Sequence, residues 1–115
     1  MDLIKAIVET TIDEEKVKKI QDLYEDEFPE FIKKMISYVD DVMFLDNSYR
    51  LLSYDEILNA EEELQVEFGK QGILPLIDRG ENDFISYGTK DGTWFVFNIV
   101  DEIKFKEKES LSELL

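Results

Sequence analysis

The chain contains no cysteine and no histidine among its 115 residues. That excludes disulfide frameworks, thiol nucleophiles, Ser-His and Cys-His dyads, CxxC redox pairs and the ordinary zinc sites built on thiolate or imidazole. Basic residues are scarce: 13 Lys and Arg stand against 28 Asp and Glu, a net charge of −15. Such a field repels phosphate, so neither nucleic acid nor an anionic membrane is an expected partner. It favours cationic proteins and speeds their encounter. Long apolar runs are also missing, and none approaches the roughly 20 residues needed to span a bilayer. The opening MDLIKAIVETTIDEEK turns acidic too soon to read as a signal peptide. A soluble, cytoplasmic chain is the expectation. Only two prolines interrupt it, and 43% hydrophobic and 12% aromatic residues are enough to build the core of one domain.

The first half carries helical periodicity. Leu3, Ile4, Ile7 and Val8 fit a short first helix. Asp13 can cap a second, whose stripe is Val17, Ile20, Leu23 and Tyr24. Pro29 suits the first turn of a third, which buries Phe31, Ile32, Met35 and Ile36. Two short β-like runs, Val42 to Leu45 and Tyr49 to Leu52, flank the turn residues Asp46-Asn47-Ser48. Ser53-x-x-Glu56 is a capping box that opens one middle helix with the stripe Ile57, Ala60, Leu64 and Phe68, ended by Gly69 and Gly72.

The second half reads as strands: Ile73–Ile77, Asp83–Tyr87 and Trp94–Val100. The third is apolar at almost every position, which predicts packing on both of its faces. DEIKFKE reads as a last edge strand or loop whose lysines discourage stray pairing. Ser110-x-x-Glu113 opens a short C-terminal helix. The expected fold is α+β in a single domain. A mostly antiparallel or mixed central sheet is flanked by the N-terminal helices, the middle helix and the C-terminal helix.

Three carboxylates, Asp78, Glu81 and Asp83, crowd around Gly80 between two apolar runs. Their hard oxygens are what Ca²⁺ or Mg²⁺ takes, but the spacing does not match the EF-hand loop and Arg79 intrudes. Gly80 and Asn82 tolerate positive φ, so the segment reads as a turn. With 28 acids in the chain, some pair falls at glycosidase spacing by chance, so spacing carries no weight. No catalytic residue, metal site or cofactor is assigned. The acids are read instead as contacts for a basic protein: Asp78, Glu81 and Asp83, the Asp40-Asp41 pair, and Glu61-Glu62-Glu63 on the middle helix. On the helical wheel Glu61 falls beside the apolar stripe, while most of its neighbours point away. Tyr87 and Trp94 are candidate aromatic anchors, since such residues are enriched at binding hot spots. For Trp94 the competing reading is a core role.

The order of several motifs resembles a known family. FPEFIKKMI is similar to its L-P-x-x-Y-x-x-F-L helix, with Phe28 and Phe31 at the apolar positions. YRLLSYDEILNAEEEL resembles its strand-to-helix passage, ILPLIDRGENDFISYGTKDGTWFVFN its strand–turn–strand core, and SLSELL its closing helix. SYVDD stands where the family often has a glycine pair. Together these resemble the SMI1/KNR4 (SUKH) superfamily over Phe28 to Leu115. The resemblance implies an α+β binding module without catalytic residues. It also implies either an immunity protein that neutralises a toxin, often a nuclease, or a regulatory scaffold such as those of cell-wall synthesis.

Overall fold

The computed structural model describes residues 2–115, which fold as six helices and one six-stranded antiparallel sheet, closed by a single 3-10 turn. The helices are α1 (Leu3–Val8), α2 (Glu14–Tyr24), α3 (Glu30–Tyr38), α4 (Tyr54–Leu58), α5 (Ala60–Leu64) and α6 (Phe68–Gln71). The strands are β1 (Met43–Phe44), β2 (Arg50–Leu51), β3 (Ile73–Gly80), β4 (Asp83–Gly88), β5 (Trp94–Asn98) and β6 (Ile103–Lys108), and they lie in the sheet in chain order. No helix among the described residues is long and apolar enough to cross a membrane.

Local chemistry accounts for most boundaries. The side chains of Asp2 and Asp13 accept the N–H groups of Lys5 and Lys16, so each caps a helix start that would otherwise be unsatisfied. Pro29 stands just before α3, as its N-cap, because its ring fixes the entering backbone and it has no N–H to lose. The Ser53–Glu56 capping box forms in full at α4.

The middle helix is not continuous. Gln65 adopts the left-handed conformation and ends α5, and the chain then tucks Val66 and Phe68 into the core before α6. From Ser53 to Glu67 there are six acids and no base, so no opposite-charge pair four residues apart supports a longer helix. Burial of Val66 and Phe68 favours the break. The expected C-terminal helix is likewise reduced to the turn Leu111–Glu113, although its Ser110–Glu113 capping box is made.

Strand β5 is packed on both sides, as its sequence requires. Phe31 of α3 meets Trp94 edge-on at 6.2 Å between ring centroids, and Phe68 of α6 meets Phe97 at 6.0 Å. Trp94 and Phe97 are of opposite parity along the strand, so the two helices cover opposite faces. Trp94, Phe95, Val96 and Phe97 are all buried. The edge strand β6, by contrast, is exposed along nearly its whole length.

A partly buried polar link joins the layers. Arg50 of β2 binds Glu56 of α4 at 2.6 Å and Asp78 of β3 at 3.3 Å. Burial pushes the Glu56 carboxyl up, but the Arg50 guanidinium and the Ser53 N–H outweigh it and leave the group below the usual carboxylate range. A carboxylate held low in the folded state stabilises fully above its unfolded pKa, and that contribution fades as pH falls through the folded value. Arg50→Met is therefore expected to lose about 1–3 kcal/mol at neutral pH by stranding two partly buried carboxylates. Its unfolding midpoint in urea should converge on that of the wild type as the pH drops below 4.5, the ordinary value for this group.

Candidate protein-docking surface

In a sheet whose neighbours are all antiparallel and in chain order, alternate connections emerge at the same end. Here the β1–β2, β3–β4 and β5–β6 tips close one end together. They bring Asp46, Glu81, Asp101 and Glu102 to that end as exposed acids, above the half-buried Asp78 and Asp83. Exposed apolar side chains accompany them: Phe44 at 69%, Val100 at 68% and Ile103 at 52%. This end of the sheet is thus an acidic rim with isolated exposed apolar side chains.

The three acids of the 78–83 segment are not equivalent. Asp78 is held by Arg50 and accepts the Gly80 N–H at 2.8 Å. Asp83 accepts the Asn98 side-chain amide at 2.9 Å. Only Glu81 points to solvent with no partner among the described residues. The turn itself is two residues long, with φ of 56° at Glu81 and 68° at Asn82, the paired left-handed geometry that matches strand twist. Asparagine and glycine suit both positions better than glutamate does. Glu81→Asn is therefore expected to raise stability by about 0.5–1 kcal/mol, read as a higher urea midpoint, while removing one acid from the rim.

The other expected contacts lie elsewhere. Asp40 and Asp41 are exposed beside the β1 edge, where the Asp40 carbonyl accepts the Tyr54 N–H at the start of α4. This region gathers acids that sequence spacing did not connect. Burial, then the charges of Asp13, Asp55 and Glu15, raise the Tyr54 hydroxyl above its usual range, and Asp13 and Glu15 line one shallow depression with Tyr54, Lys16 and Lys19. Lys16 offsets part of that charge, with its ammonium 5.0 Å from the Tyr54 ring centroid and donating to the Ser37 and Val39 carbonyls. Glu61, Glu62 and Glu63 are exposed on α5. Glu61 turns inward to accept the Gly69 N–H at 3.4 Å, consistent with its place beside the apolar stripe. Glu56 is taken by Arg50 and belongs to the fold.

Tyr87 and Trp94 do not project as anchors. They are 7% and 4% exposed, because they occupy paired positions on the face that α3 covers, with their rings 5.3 Å apart. What solvent meets of them is the wall of a groove between α1, α3 and the C-terminal turn.

The rim acids Asp101 and Glu102 and the apolar Val100 and Ile103 escaped the sequence reading. Their signal was the connectivity: three successive hairpins whose tips must align. No protein-family model, curated protein or solved structure matches the chain.

Proposed function

We propose that the protein is an acidic protein-binding module that occupies the basic surface of a partner, and that this partner is a toxin it neutralises. The observation that carries the binding part is the convergence of acids at the hairpin-tip end of a chain with net charge −15. A nuclease must present basic side chains to phosphate, so an acidic inhibitor fits such a surface and arrives quickly by steering. The immunity role itself rests on the motif order that resembles the SUKH superfamily. The same resemblance accommodates a regulatory scaffold, for which the exposed apolar tips serve equally well.

The test is affinity measured against salt. Binding of the product of the neighbouring gene should weaken at least tenfold between about 50 and 500 mM NaCl, since exposed charges are screened beyond a Debye length of about 4–14 Å across that range. The change should lie mainly in the association rate. Affinity that ignores salt argues against docking through this surface.

A further inference from the structure

We propose that the groove walled by Phe31, Tyr87 and Trp94 and closed by Ile4 and Leu111 is a separate docking point for a short, extended lysine- or arginine-rich segment of the partner. The inference rests on the reading of the partner as basic. The groove lies away from the hairpin tips, beside the β4–β5 turn, and encloses about 330 Å³. That is at the small end of ligand pockets, enough for one or two side chains but not for a folded element. Its wall is aromatic: Trp94 stands between Tyr87 and Phe31, with centroids at 5.3 and 6.2 Å. At the mouth stands Glu109, an exposed carboxylate with no hydrogen bond or ion pair among the described residues. Asp91 precedes the groove-lining Gly92, but its carboxylate accepts the Thr93 hydroxyl at 3.0 Å, which leaves Glu109 as the acid at the opening.

An aromatic wall under an unpaired carboxylate complements one kind of side chain. The aliphatic stem of lysine or arginine covers apolar surface while its cation reaches water or an acid. An uncharged apolar side chain would leave Glu109 unused, and an acidic one would be repelled.

Trp94 is the only tryptophan, so tryptophan emission comes from the wall of this groove. The probe is a capped Lys-Leu-Lys-Leu-Lys peptide titrated into the intact chain at low salt, followed by Trp94 emission and by calorimetry. A saturable emission change is expected, matching the calorimetric isotherm. Glu109→Lys should weaken binding about tenfold. Glu62→Lys makes the same change in net charge on the exposed face of α5 and should alter binding less than about twofold. Ser112→Phe, which fills the groove from its exposed lip, should abolish the emission change without lowering the unfolding midpoint. Calorimetric binding with silent Trp94 emission, or equal losses from Glu109→Lys and Glu62→Lys, would overturn the groove and leave the basic-partner reading intact. No binding by either method would count against both.

Discussion

Phe97→Ala is expected to cost about 3–5 kcal/mol of folding stability. Phe97 is 1% exposed and stands where β5 meets α6, its ring edge-on to that of Phe68. Truncation removes the burial of a phenyl group and leaves a cavity whose walls belong to two different elements, so neither can close it without shifting the other. A domain of this size is stable by about 5–15 kcal/mol in total, so the variant should be partly unfolded near physiological temperature. Urea unfolding followed by circular dichroism measures the loss. Phe68→Ala and the double variant complete a cycle, in which the pair itself should contribute about 0.5–1.5 kcal/mol beyond the area each ring buries. A loss below about 1 kcal/mol would mean that α6 does not seat on the sheet as described.

The second large effect concerns binding. Reversing three rim acids together, Glu81→Lys, Asp101→Lys and Glu102→Lys, is expected to weaken partner affinity about a hundredfold, from roughly 1 kcal/mol per reversed contact. Stability should change little, because all three side chains are exposed and only Glu102 has a side-chain partner, Gln71 at 3.0 Å. Reversing Glu61, Glu62 and Glu63 changes the net charge by the same amount on α5. If the whole-protein field governs affinity, the two triple variants fall together; if the rim is the contact surface, only the first falls steeply. Association rates should drop in both, since steering responds to the summed field. Dissociation should accelerate only for the rim variant.

Much of the fold was legible because its signals are local. The near-continuous apolar runs over 73–98, the capping boxes at Ser53 and Ser110 and the glycine-asparagine turn at 80–82 each act within a few residues. The β5 run of buried residues declared its two-sided packing without reference to its neighbours. The middle helix misled for a related reason. Ile57, Ala60, Leu64 and Phe68 keep helical spacing, but the conformation that Gln65 adopts is decided by the burial of Val66 and Phe68 against the sheet. Periodicity within the segment does not contain that information.

The site was less legible, since it depends on what distant segments bring together. Asp78, Glu81 and Asp83 are adjacent in sequence, yet Arg50 and Asn98 claim two of them. Asp101 and Glu102 join Glu81 only because the sheet is a meander. Tyr87 was a candidate anchor and Trp94 stood open between an anchor and a core role; both are core residues that show solvent only a groove wall, because strand parity turns them toward α3.

The most direct measurement is growth of cells that express the neighbouring gene product, with and without this chain. A toxic product, growth restored by the wild-type chain, and no rescue by the folded rim-reversed variant is the expected result. A neighbouring product that is harmless alone, or toxicity that the wild-type chain leaves unchanged, would contradict the proposed neutralising role.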